Sequence, residues 1–295
     1  HIMGYAISTT SNAYAVIYSY TNAKLDNVRF IGNHIEGGSY GIYIYGSSSS
    51  RNKVLFDSNY IESSYYYPLY FYYTDLDFLH NTVMEAQGHY NYFYTYFYYA
   101  YNSRFEGNHI QTNGYSSYQY PFRFYYSDST TYICNNEIVC KNNSGTTYAM
   151  YVYYTYGTHI VNNSIYCYGT GSTHYGLYLY TGSTAYNGHV RNNNVVIDPN
   201  ISGTTYPCYM TSNAYVTNWD IDYNNWYSKN YVGYVGTAVA SLTDYQKYVT
   251  TAVNESNVNV VFSDTTDLHQ RSYVNLKCPV YQGVNNDKDG EMRLT

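Results

Sequence analysis

The sequence predicts an all-β solenoid. It is a single-stranded parallel β-helix of about eight coils, three strands per coil, with an irregular C-terminal cap. Three observations predict it. An asparagine between apolar residues recurs at steps of 22 to 31 residues. A tyrosine-led block of alternating residues recurs between those asparagines. The composition, 49 Tyr among 295 residues with 12% charged, is too aromatic and too weakly charged for a disordered chain.

The asparagine anchor has an apolar residue three before it and another two after it. It occurs as Phe30/Asn33/Ile35, Phe56/Asn59/Ile61, Phe78/Asn81/Val83 and Phe105/Asn108/Ile110. It recurs as Ile133/Asn136/Ile138, Ile160/Asn163/Ile165, Val190/Asn193/Val195 and Ile221/Asn224/Trp226. A short strand before each asparagine (strand B) and one after it (strand C) are expected, with the asparagine turning the corner. Stacked coils lie ~4.7–4.9 Å apart, so equivalent asparagines form a column and can hydrogen-bond amide to amide.

Strand A is the tyrosine block. Its leading residues are Tyr14, Tyr40, Tyr67, Tyr90, Tyr120, Tyr148, Tyr175 and Tyr206. Three prolines (Pro68, Pro121, Pro207) share the next position, where a strand begins and no ladder N–H is yet needed. The third and fifth positions are mostly apolar and face inward, as in Ile42/Ile44 and Leu177/Leu179. The fourth position faces outward and reads Tyr43, Tyr70, Phe93, Arg123, Tyr151, Tyr178, Tyr209. The sixth reads Tyr45, Tyr72, Thr95, Tyr125, Tyr153, Tyr180, Thr211. Phenols one coil apart can stack, each pair contributing roughly 0.2–1 kcal/mol. Arg123 is the one charge in these columns and is expected between Phe93 and Tyr151. The interval from asparagine to leading tyrosine lengthens from 7, 8 and 9 residues to 12 or 13. The longer segments, Gln111–Gln119, Cys140–Thr147, Cys167–His174 and Ile197–Thr205, are expected as loops walling the tyrosine face.

Strand B carries outward polar columns. Asp77 is expected beside Arg104, and Arg191 beside Asp222. His159, His189 and Asp220 fall on successive coils, where solvated ion pairs or a metal or acid/base cluster could form. Asp75 and Asp77 are a candidate carboxylate pair.

The Gly41-Ile42-Tyr43-Ile44 block and the Phe30-to-Ile35 block resemble the pectin-lyase-like right-handed parallel β-helix superfamily, over about residues 5 to 228. The resemblance implies the fold and no single activity, because the superfamily includes lyases, hydrolases and non-catalytic adhesins. Residues 229–295 differ. Ser241 to Val249 reads as a short capped helix with Leu242, Tyr245 and Val249 on one face. Asp267-Leu268-His269, followed by Asp287-x-Asp289-Gly290-x-x-Arg293, is similar to the closing segment of many secreted bacterial β-helix proteins. That resemblance implies a C-terminal cap, so the chain divides as 1–228 solenoid and 229–295 cap. Asn285-x-Asp287-x-Asp289-Gly290 also has the spacing of the start of a calcium loop, with a polar turn as the plain alternative.

A net charge of −6 argues against a nucleic-acid partner. No stretch reaches the ~18 apolar residues of a membrane span. His1-Ile2-Met3 reads as a vector remnant, and the chain as a piece of a larger protein. Five scattered cysteines without a Cys-x-x-Cys are neither a disulfide framework nor a zinc motif. Cys140 and Cys167 should stack on adjacent coils, inward, as a reduced or a bonded pair. A polysaccharide hydrolase would be expected to show clustered aspartates near a Gly-His-Gly, which is absent, and a lyase calcium-binding carboxylates beside a basic residue. The expectation is therefore an extracellular or cell-surface recognition module without catalytic, metal or cofactor residues. It would bind a polysaccharide or other extracellular surface through Tyr43, Tyr45, Tyr70, Tyr72, Arg123, Tyr125, Tyr151, Tyr153, Tyr178, Tyr180 and Tyr209. The alternatives are a polysaccharide lyase or glycoside hydrolase, and a stalk whose stacking stabilises without binding.

Overall fold

The computed structural model describes residues 1–21, 23–271, 276 and 278–293. The chain winds as a right-handed parallel β-helix of about eight turns. Strands C form a nine-stranded sheet, from Ile2–Met3 and His34–Glu36 to Asn225–Tyr227. Strands A and B form one 18-stranded sheet that bends between them. At Thr146–Val161 the two run together without a break.

Inward side chains explain the winding. The core stacks Phe56, Phe78 and Phe105 from strand B against Phe71, Phe97 and Phe124 from strand A, all at most 2% exposed. Ile35, Ile61, Val83, Ile110, Ile138 and Ile165 fill the strand-C side. The B–C corner is two residues long: a left-handed residue, then the anchor asparagine. Ser58, His80, Asn135, Asn162, Asn192 and Tyr223 take that left-handed place, as do Gly32 and Gly107.

Each anchor asparagine is an engaged donor. For the anchors Asn33 to Asn193, the backbone N–H and side-chain amide both donate to the Oδ1 of the asparagine one coil on, at 2.9–3.2 Å. From Asn59 onward each amide also donates to a strand-B carbonyl of the preceding coil. Groups that would cost stability if buried alone are thereby paired.

The lengthened segments are not loops walling a face. Their extra residues extend strands C and A: Thr146 pairs with Thr173 and Thr173 with Thr204, while Thr147 pairs with His174 and His174 with Thr205. Only short turns remain, among them residues 143–145 and 170–172.

At the far end, strand Gly233–Val235 still pairs in parallel with Thr204–Met210. The helix Leu242–Tyr248 follows, with the Ser241 hydroxyl accepting the Asp244 N–H at 3.1 Å. Tyr245 of this helix and Val249 just past its end are buried against the last coil. The following segment turns back along the outside of the solenoid. Val260, Phe262 and Leu268 cover Val139 and Val196 of strand C. Val284 and Tyr281 cover Cys134, Val161 and Tyr132 of strand B. The two cap motifs meet there: His269 lies between Asp267 and Asp289, with Nε2 2.7 Å from Asp289. Arg293 donates to Asn135 at 3.0 Å.

Candidate functional site

The tyrosine columns are in register, with two coils displaced from the expected alignment. Tyr43 pairs with Tyr70, Tyr70 with Tyr96, and Arg123 with Tyr151, then Tyr178 and Tyr209 follow. In the second column Tyr45, Tyr72, Tyr98, Tyr125 and Tyr153 are consecutive. The expected Phe93 and Thr95 are instead in the core, each 0% exposed, and Tyr96 and Tyr98 hold the outward places. A shift of three residues reverses every side chain in a strand. Phe93 and Phe97 prefer the dry side and phenols the wet side, so polarity decides the register. The leading ring of this coil is Tyr94, opposite Tyr120, and not Tyr90. In the first coil Ile17 pairs with Ile42, which places Ala15 rather than Tyr14 at the leading position. Tyr18 then extends the column below Tyr43.

Within the columns the rings are parallel. Tyr43–Tyr70, Tyr151–Tyr178 and Tyr178–Tyr209 have centroids 4.8, 4.7 and 4.9 Å apart and planes within 16°. Tyr45–Tyr72 stack at 4.4 Å, and Tyr153–Tyr180 lie tilted at 4.1 Å. All eleven expected contact residues are half-buried. Neighbours cover the ring faces, so the surface offers ring edges and hydroxyls.

A further column was missed by the sequence reading. Tyr73, Tyr99, Tyr126 and Tyr154 sit at the A–B bend with φ between 47° and 57°. Their rings stack at 4.1, 4.7 and 4.8 Å. Left-handed backbone costs an L-residue ~1–2 kcal/mol and usually selects glycine or asparagine. No periodic signal distinguishes these tyrosines from those around them.

Arg123 does not lie between Phe93 and Tyr151, because Phe93 is in the core. Its guanidinium lies 4.8–5.8 Å from the ring centroids of Tyr94, Tyr96, Tyr120, Tyr125 and Tyr151. It donates to the Tyr125 hydroxyl at 2.9 Å. No carboxylate pairs with it among the described residues. Burial raises the Tyr94 and Tyr96 phenols to about 12, against the opposing pull of Arg123. The face therefore carries neutral phenols and one caged cation.

The strand-B columns stand in the expected register. His159 and His189 stack at 4.8 Å, and His189 Nδ1 lies 3.0 Å from Asp220. Arg191 reaches Asp222 at 3.4 Å. His159 Nδ1 is engaged by the Tyr281 hydroxyl at 2.7 Å, which makes this row part of the cap contact. Arg104 neighbours Asp77 in register but pairs with Glu106. Asp75 pairs with Arg51, whereas burial raises the Asp77 carboxyl. Both aspartates line a cavity of about 660 Å³ with Arg29, Lys53 and Asn102, on strand B rather than the tyrosine face.

Among the described residues, two groups bring metal-ligating atoms together: His1/His34/Glu36 and Glu137/Asp267/His269. Lys288 Nζ lies 2.6 Å from Glu137 in the second, supplying a positive charge of its own. The calcium-like stretch forms a turn in which the Asp287 carboxylate accepts the Asp289 and Glu291 N–H groups at 3.0 and 2.9 Å. Cys140 and Cys167 are adjacent in register, buried and unbonded. No described helix is long and apolar enough to cross a membrane.

The family described as the right handed beta helix region matches residues 14–195. No curated protein and no solved structure gives a significant match. A β-helix with extensive surface tyrosine columns fits a binding or a structural module.

Proposed function

The chain belongs to the right-handed β-helix family, and from that premise we propose that it is a secreted or cell-surface recognition module for a glycan or other extended surface. The single observation that carries this reading is the in-register phenol sheet on strand A. Its columns run coil after coil and expose edges and hydroxyls while their faces are packed. A repeat of hydroxyls every coil, ~4.8 Å apart, suits a polymer that repeats its own hydroxyls. Tyrosine gives a contact surface rigid apolar area with a polar rim at small entropic cost. The face bears no carboxylate beside Arg123, so a neutral or acidic polymer meets no repulsion there.

A glycan array followed by affinity electrophoresis tests the proposal. Binding should fall at least about tenfold when Tyr70, Tyr151 and Tyr178 become Ala, a loss of about 1.4 kcal/mol or more. Retained binding in that variant removes the tyrosine face from the account.

A polysaccharide lyase or hydrolase is the second reading. It is favoured by the cavity at Asp75 and Asp77, where one carboxylate is ion-paired and the other, though exposed at the cavity wall, is raised by partial desolvation. Release of reducing or unsaturated ends from a polysaccharide panel, abolished by Asp77→Asn, would establish it. Silence in both assays leaves a structural stalk.

A further inference from the structure

The phenols keep ring contact along the solenoid. From Tyr18 the centroids step 5.5 Å to Tyr43, 4.8 Å to Tyr70 and 5.1 Å to Tyr96. Arg123 holds the next place, and the path sidesteps through Tyr125, 5.6 Å from Tyr96 and 5.7 Å from Tyr151. It continues 4.7 Å to Tyr178, 4.9 Å to Tyr209 and 4.4 Å to Tyr234. Electron transfer between π systems is fastest at such contact. Tyrosine, unlike phenylalanine, yields an electron once its hydroxyl proton can leave.

The strained column at the A–B bend argues separately. Glycine or asparagine would relieve Tyr73, Tyr99, Tyr126 and Tyr154 of left-handed strain. Neither would continue the ring stack. Strain kept at successive coils points to use.

We propose that the tyrosine face conducts oxidising equivalents, passing a one-electron hole from coil to coil along the solenoid. This rests on ring contact and stands apart from the recognition reading. An outer-sphere one-electron oxidant takes an electron from a phenol at one end. The hydroxyl proton passes to water, and a neutral phenoxyl remains. In each hop the phenoxyl takes an electron from the next ring and a proton from water, while that ring releases its own proton. A phenol is restored, and the phenoxyl stands one coil further on. Burial raises the phenols of Tyr72 and Tyr96 to about 12, which keeps the resting relay protonated and uncharged.

The relay narrows at the coil of Arg123, where Tyr120, Tyr125 and Tyr126 make the ring contacts onward. The test uses the full chain with Thr10→Cys and Cys278→Ser, and a Ru(II) polypyridyl photosensitiser on the new thiol. Thr10 is exposed beside the first coil. A Co(III) ammine accepts the photoexcited electron, and the resulting Ru(III) is the oxidant. A C-nitroso spin trap marks phenoxyl rings for mass spectrometry, in dilute protein. Adducts are expected at Tyr209 and Tyr234 as well as Tyr18. With Tyr120, Tyr125 and Tyr126 changed to Phe, the distal adducts should be lost and the Tyr18 adduct kept. Phenyl rings preserve the stacking, and an unchanged thermal melt verifies the fold. Adducts confined to the first coils, or distal adducts unaffected by the Phe changes, overturn the proposal.

Discussion

Asn224 donates its backbone N–H and its side-chain amide to Glu255, at 2.5 and 3.1 Å. Every anchor asparagine before it makes the same two donations to another asparagine. A carboxyl thus ends the column where the repeat runs out. The residue is almost fully buried, and burial raises its carboxyl from the ordinary 4.5 to about 8, against the hydrogen bonds from Asn224.

The folded chain therefore keeps a proton on Glu255 where the unfolded chain has lost it. The stability this contributes is complete below pH 4.5 and is lost as pH rises through about 8. Urea midpoints should fall across that window, and Glu255→Gln should flatten the fall. A wild-type profile already flat there would show that Glu255 is ionised in the fold.

Position within the column sets the cost of losing an asparagine. Asn108→Ala removes the amide donations to the Phe78 carbonyl and to Asn136 Oδ1 and the acceptor of the Asn81 backbone N–H and side-chain amide, while the backbone N–H of residue 108 still reaches Asn136. It should destabilise by roughly 2–5 kcal/mol. Asn33→Ala, at the open first coil, should cost about 1 kcal/mol. Equal losses in denaturant titrations would mean that the column does not act through its interior bonds.

The thiols give a third expectation. Cys134, Cys140, Cys167 and Cys208 are 0% exposed, and Cys278 is half-buried. Burial raises the Cys134 and Cys208 thiols to about 12. An aromatic disulfide reagent should react with one thiol in native protein and with five after denaturation without reductant. Three after denaturation would reveal a bond between Cys140 and Cys167.

The sequence showed the asparagine column fully, because one letter at one spacing marks a two-residue corner that tolerates little else. The strand-B register was equally plain, since Arg29, Leu55, Asp77 and Arg104 are counted directly from those corners. The tyrosine columns were legible wherever the block was flanked by a proline or glycine. They were not legible at Tyr90–Ala100, where phenols at nearly every second place fit several registers. Only the demand that Phe93 and Phe97 be buried separates them. The bend tyrosines were invisible because their backbone conformation contradicts their residue type. The longer spacings were visible as lengths, but whether extra residues form loops or longer strands depends on pairing with the next coil.

The amide column also has a sense. Its donations from one asparagine to the next all run toward higher residue numbers, ending at Glu255, and the side-chain oxygen of Asn33 takes no amide among the described residues. The two ends of the column are thus chemically unlike: one is a buried carboxyl whose protonation varies with pH, the other an amide oxygen whose charge does not.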